Sequence, residues 1–353
     1  MNPSIRQPTS RGFSLVELMV AMTLGLLMIA AIGTLFVANK TNYRQNTLIA
    51  EMQDNSRFAM QALVRDIGMA GFMGGMTDLG AIARGSDTLP AIASDCGPGA
   101  DGSGGWALDN APLEVLDQPG TGATATHACL GDEPLVPTAD VLTVRHVAGL
   151  PAAELDTADA EATLRANTFY LQTNRTVGSL FFSGADAEAP DTSHAPRLPP
   201  KSIWEYESRL YFVRDYSQTP GDGIPALCRR YLADQASPRT DTECIAEGVE
   251  NFQIAIGIDT DDDGIVNHYD TDPAVTDLAR AVTARIQLLM RSTAADPGYR
   301  NDKRYDLHGH DDDGDGAIDE SGDGYTPDDR FYRRLVQTTI NLHNPALASG
   351  STP

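Results

Sequence analysis

From Leu18 to Ala38 the chain runs LMVAMTLGLLMIAAIGTLFVA, 21 residues without a charge. At 1.5 Å per residue that predicts a helix able to cross an apolar bilayer core of roughly 30 Å. Beyond it the pattern changes but does not stop. Leu48, Met52, Ala59, Leu63 and Ile67 recur at spacings of four or seven, so one apolar stripe continues along an otherwise polar helix. No Pro falls between Phe13 and Ile67 to break it, and a continuous helix over that span would be about 80 Å long. Gly25 and Gly33 are its weak points, and Gly68 and Gly71 supply the stop. Residues 74–136, rich in Gly, Asp, Ala and Pro, read as loops around a few short strands. Clearer strands are expected at 140–147, 168–172, 209–214, 249–258, 281–290 and 334–342, short β-branched or aromatic runs bounded by turn residues. Val282, Ala284, Ile286 and Leu288 alternate as a half-buried strand does. A long helix followed by strands predicts the α+β class: a helix, first transmembrane and then amphipathic, packed on an antiparallel β-sheet with long loops.

Composition narrows what such a chain does. It has 26 basic and 49 acidic side chains in 353 residues, hence a net charge of −23. That balance repels phosphates, and no nucleic-acid contact is expected. Upstream of the apolar run, MNPSIRQPTSRG carries Arg6 and Arg11 and no acid. By the positive-inside rule those residues stay cytoplasmic, so the chain is expected to cross the inner membrane once with its C-terminal domain in the periplasm. A secretory signal peptide has an apolar core of about 7 to 15 residues, and this stretch is longer. Glu17 is the feature that a plain anchor leaves unexplained. A carboxylate in an apolar segment costs about 2.5 to 3.5 kcal/mol on insertion scales and needs a partner.

Gly12-Phe13-Ser14-Leu15-Val16-Glu17 followed by the long apolar helix resembles the prepilin signature of the type IV pilin superfamily, with Gly12 as the last leader residue. The resemblance implies cleavage between Gly12 and Phe13 by a prepilin peptidase, N-methylation of the new Phe13 amine, and a glutamate, Glu17, at the fifth mature position. An ammonium at the end of one helix can pair with Glu17 of a neighbouring subunit, leaving neither charge alone in a lipid-like core. On this basis residues 1–12 are the leader, 13–40 the transmembrane part of the helix, 41–72 its amphipathic part and 73–353 a β-rich head. The R-D-I-x-M-A-G-F pattern at 65–72 is similar to that of the PilW-like minor pilins, as is GVENFQIAIGIDTDDDG at 248–264. Many of those relatives place a Cys just after the first motif, where this chain has Gly74-Gly75. The resemblance implies a role in pilus assembly or initiation, with other minor pilins, the major pilin and a pilus tip adhesin as partners, in support of pilus-dependent motility or adhesion. Two alternatives keep part of this pattern: a minor pseudopilin of a type II secretion system, and an unprocessed membrane-anchored calcium-dependent surface binder or hydrolase.

The four cysteines are Cys96, Cys129, Cys228 and Cys244, an even number in a domain placed outside the cytoplasm, where disulfides are permitted. Three pairings are open; the preferred one joins Cys228 with Cys244 around a Pro/Asp-rich loop, and Cys96 with Cys129. Closing the 17-residue loop from Cys228 through Cys244 stabilises by roughly 3 kcal/mol in the chain-entropy picture.

Two acidic loops, 259–272 and 311–323, carry candidate metal chemistry. The run from Asp259 to Asp270 fits the D-x-D-x-D-G calcium loop. Asp259, Asp261 and Asp263 offer side chains, Gly264 the turn, Ile265 a carbonyl, Asn267 an oxygen and Asp270 the closing carboxylate. The second loop repeats the beginning with Asp311, Asp313 and Asp315, then Ala317, Asp319 and Glu320, but has Gly322 at the closing position. Without a cation, so many neighbouring carboxylates repel one another. Calcium is the expected cofactor. The seven His fall in no catalytic motif, and no G-x-S-x-G, P-loop or H-E-x-x-H occurs, so no enzymatic role is expected.

Overall fold

A computed structural model describes residues 12–84, 89–93, 95, 105–109, 111–118, 129–130, 133–155, 164–184, 201–307 and 324–342. One helix, α1, runs from Leu15 to Met69, in agreement with the uninterrupted pattern. The chain divides into two compact units, Met1–Ala50 and Glu51–Pro353. In the first, the side chains of the apolar run are open: Leu18, Leu26, Leu27, Ile29 and Phe36 are all exposed. Its most apolar stretch has a mean hydropathy of 2.4 and none of it is buried, so this helix is long and apolar enough to cross a membrane.

The second unit contains, in chain order, β1 (Ile82–Arg84), β2 (Leu113–Leu116), β3 (Val141–Val147), β4 (Ala153–Leu155), β5 (Phe169–Thr173), β6 (Gly178–Phe182), β7 (Lys201–Arg214), β8 (Ala226–Ala233), β9 (Arg239–Glu247), β10 (Val249–Ile258), β11 (His268–Asp270), a helical turn α2 (Val275–Leu278), β12 (Ala281–Arg291), β13 (Tyr305–Asp306), β14 (Gly324–Tyr325) and β15 (Arg333–Asn341). Nine strands form one sheet along the path β1-β6-β5-β7-β3-β2, with β4 and β8 also on β7 and β9 beyond β8. The 14-residue β7 is its spine, pairing through its first half with β4 and β5 and through its second half with β3 and β8. One contact, β1 with β6, is parallel; the others are antiparallel. A second, antiparallel sheet has the order β11-β10-β12-β15, and β13 pairs with β14.

The predicted helix stripe is the side that packs. Met52, Ala59, Leu63 and Ile67 sit in one apolar core with Leu142 and Val144 of β3, Tyr211 of β7, Ile254 and Ile256 of β10, and Ala284, Ile286 and Leu288 of β12. Both sheets thus contribute to the surface on which the amphipathic part of α1 rests. Two devices join the sheets. Gly248 turns the chain from β9 into β10 at φ +74°, where a Cβ would stand 2.3 Å from the Arg291 carbonyl oxygen, so glycine is needed for both conformation and space. Asp140 is fully buried; it accepts from Ile254 N–H at 2.8 Å and Gln118 N–H at 3.2 Å, while its own N–H donates to Phe252 O at 2.8 Å.

The structure departs from expectation between Cys228 and Cys244. In place of a Pro/Asp-rich loop, β8 and β9 form a hairpin in which those two residues are directly opposite and disulfide-bonded, leaving only 234–238 between the strands. The breakers Asp234 and Pro238 mark the turn alone. Likewise β7 begins at Lys201, ahead of the expected 209, because Lys201 and Glu205 interrupt the apolar alternation of a strand that is only half-buried on one side.

Candidate functional site

Gly12, Phe13 and Ser14 precede α1 outside any helix or strand, and Phe13 is 91% exposed. The Ser14 N–H donates to Glu17 Oε2 at 2.9 Å, and Leu18 N–H to Ser14 O at 3.1 Å. Ser14 and Glu17 therefore stand as N-cap and third helical residue, with the glutamate reaching back to a main-chain donor that a helix start leaves orphaned. At Gly12 a Cβ would meet nothing within 4 Å, so nothing in the described chain requires glycine there. Arg6 and Arg11 of the basic leader lie outside the described residues.

At the other end of α1, Asp66 of the R-D-I pattern is buried against the nine-stranded sheet. It accepts from Arg209 Nη1 and from the Tyr211 hydroxyl, both on β7, and the His146 Nε2 of β3 is 3.8 Å away. His146 Nδ1 lies 3.0 Å from Val147 O and must be the donor there, because a carbonyl only accepts. Arg209 also pairs with Glu207. Burial alone pushes the Asp66 carboxyl up, but nearby His146 and the bonds from Arg209 and Tyr211 outweigh it and hold it down to about 2. Burial and the neighbouring Asp66 in turn push the Tyr211 hydroxyl up. Nothing in the local pattern around Asp66 announces these partners; Arg209 is 143 residues away in sequence.

Of the first acidic loop, the structure brings Asp259, Asp261 and Asp263 together, with one carboxylate oxygen of each within 4.8 Å of the others. Asp259 is buried at the end of β10; it accepts from the N–H groups of Asp261, Asp262 and Gly264 at 3.2, 2.7 and 2.6 Å. Burial raises its carboxyl, but these amides together lower it by more, so the net displacement is downward. Asp262 and Gly264 take positive φ, 62° and 83°, which curls the loop around Asp259. Asn267 Oδ1 accepts from Thr260 N–H at 2.5 Å and closes the loop's base. Ile265 is exposed, and its N–H donates to Asp263 Oδ1 at 2.8 Å. Asp270 is not in the carboxylate cluster; it stands on β11 opposite Ile256 and accepts from Asp272 N–H at 3.0 Å. Asp311, Asp313, Asp315, Ala317, Asp319 and Glu320 lie outside the described residues, as does Cys96; Cys129 is disulfide-bonded.

Comparison with known proteins bears on both ends of the chain. Residues 8–33 match the prokaryotic N-terminal methylation motif, and residues 210–344 match the family described as Type IV Pilus-assembly protein W. The pilin-like protein PilA3 of Thermus thermophilus is 40% identical over 62 residues, which is 17% of this chain and 26% of that protein. The chain thus matches about a quarter of the length of that relative. No solved structure matches. A methylation motif leading into a long apolar helix, with an α+β body of mostly antiparallel sheets after it, defines a membrane-anchored protein of the type IV pilin-like class. Within that class, its segment 210–344 is similar to the PilW-type pilus-assembly proteins.

Proposed function

We propose that this protein is a minor pilin, cleaved between Gly12 and Phe13 by prepilin peptidase, N-methylated at Phe13, and carried from the inner membrane into a type IV pilus, where it takes part in initiating assembly. Before assembly its head faces the periplasm. Its partners in this reading are other minor pilins, the major pilin and a tip adhesin, and the pilus it joins serves motility or adhesion. The observation that carries the proposal is the exposed, uncharged stretch of α1 from residue 18 to 38, headed by Gly12, Phe13 and Glu17. Such a surface needs lipid or other helices around it. The match to the pilus-assembly family favours this over a secretion pseudopilus or an unprocessed surface binder or hydrolase. Pilins are structural proteins, and the family match points to that role and not to catalysis. Intact-mass analysis of the chain expressed with a prepilin peptidase tests it. Wild type is expected to begin at methylated Phe13 and Gly12→Val to keep its leader; a wild-type chain still beginning at Met1 overturns the proposal.

A second element of the proposal is calcium at the 259–270 loop. The clustered Asp259, Asp261 and Asp263 fit a hard cation by their all-oxygen chemistry, with the Ile265 carbonyl, Asn267 and Asp270 as the remaining donors of the loop pattern. The ion would neutralise carboxylates that otherwise repel. A chelator is expected to lower the Tm of the full-length protein in detergent and added calcium to restore it; an unchanged Tm sinks the calcium reading.

A further inference from the structure

Among the described residues β15 is the outer strand of the four-stranded sheet, paired with β12 on one side and with nothing on the other. Its register runs from Arg333 opposite Arg291 to Asn341 opposite Thr283 without a bulge. Leu342 N–H donates to Val282 O, and Ser292 N–H to Tyr332 O, both at 2.9 Å. In antiparallel alternation this turns the main-chain groups of Arg334, Val336, Thr338 and Ile340 toward β12. Those of Leu335, Gln337, Thr339 and Asn341 point to the open edge. Proteins ordinarily blunt such edges with proline, charge, bulges or short strands. From Leu335 to Asn341 the sequence LVQTTIN has none of these devices.

Both faces beside this edge have room for side chains. On the helix side, Val336 and Ile340 belong to the core, Ile340 lies 3.8 Å from where a Cβ of Gly68 would be, and Val64, one turn earlier on α1, is 37% exposed. On the other side a groove of about 740 Å³ is lined by Arg285, Gln287, Asp306, Leu335 and Gln337. Arg285 stands 3.8 Å from the Tyr269 ring centroid and, among the described residues, has no carboxylate partner.

We propose that β15 is a docking edge for an extended segment of a different polypeptide, which adds a strand to this sheet and sets an acidic side chain against Arg285. Main-chain bonds supply the affinity and the groove the selectivity in such β-augmentation. A second copy's β15 is the poorer occupant, because its edge sequence LVQTTIN carries no acidic side chain to set against Arg285.

The probe is a fluorescein-labelled nine-residue peptide alternating Val with Thr and Glu, titrated into the full-length protein in detergent, with a version carrying Lys for Glu as comparison. Saturable anisotropy with preference for the Glu peptide is expected, together with slowed hydrogen exchange at the amides of Leu335, Gln337, Thr339 and Asn341. Thr339→Pro removes an outward N–H and none of the bonds to β12, and is expected to weaken binding about tenfold. Thr339→Lys is the second variant should the proline one fail to fold, and Arg285→Ala is expected to erase the Glu-over-Lys preference. The proposal is overturned by edge amides already protected in the free protein, by absence of binding, by affinity unchanged in either Thr339 variant, or by a homodimer that Thr339→Lys dissociates.

Discussion

Asp66 and Asp140 are both carboxylates shut away from water, and their surroundings push them in opposite directions. Asp66 is held down to about 2 against an ordinary value of 3.8 because His146, Arg209 and Tyr211 outweigh burial. Asp140 is raised well above 3.8, first by burial and then by the charge of Asp117. The signs follow from linkage. The depressed group gives stability that is present above about pH 4 and lost as pH falls toward 2, on the order of 2 kcal/mol for a side chain only 1% exposed. The raised group gives stability that is full below about pH 4 and fades as pH rises through its folded value. Stability to urea is therefore expected to peak in mildly acidic buffer, to fall steeply below pH 4, and to lose that steep limb in Asp66→Asn. A monotonic rise of stability from pH 4 to 8 would contradict the Asp140 half of this. Asp66→Ala, which leaves the buried Tyr211 hydroxyl without its acceptor and Arg209 with Glu207 alone, is expected to cost about 3 kcal/mol in the same measurement. The sequence displays Asp66 within a motif but not its task, since its partners come from strands folded in from far along the chain.

At the scale of elements, legibility followed how uniformly one face is buried. The stripe from Met52 to Ile67 and the alternation from Ala284 to Leu288 were readable because each packs one continuous side into the core. The β8–β9 hairpin was not, because its charges are consumed across the strands: Arg229 Nε bonds Glu243 Oε1 at 2.6 Å and Arg230 Nε bonds Thr242 Oγ1 at 3.2 Å. Cross-strand pairs of this kind look like loop polarity in a linear sequence. The disulfide ties that hairpin; Cys228→Ser with Cys244→Ser is expected to lose roughly 3 kcal/mol of stability, seen as a lower urea midpoint. Immediately after it, Gly248 carries the joint between the sheets. Gly248→Ala must bring a methyl into the Arg291 carbonyl at a positive φ, and a loss of about 2 to 3 kcal/mol is expected. A Tm within a degree of wild type would show that the corner can relax, and that the two sheets are less tightly joined than the geometry says.

For the molecule as a whole, the proposed function raises the question of what would bring an apolar helix out of lipid and into a filament. Lipid tails cover Leu18, Ile29 or Phe36 as well as another helix does, so apolar contact alone gives little reason to assemble. Between Phe13 and Asn39 the one charge is Glu17. Its Oε2 caps the helix through Ser14 N–H, a task that needs only an acceptor. Pairing with the amine of a neighbouring Phe13 needs the negative charge as well. Glu17→Gln separates the two roles, since the amide oxygen can still receive the Ser14 N–H while the charge is gone. The variant is expected to insert into the membrane and lose its leader as wild type does, yet to be missing from pili sheared off the cells. If it enters sheared pili at the wild-type level, the carboxylate is a helix cap and nothing more, and the attraction that recruits this subunit must come from its head.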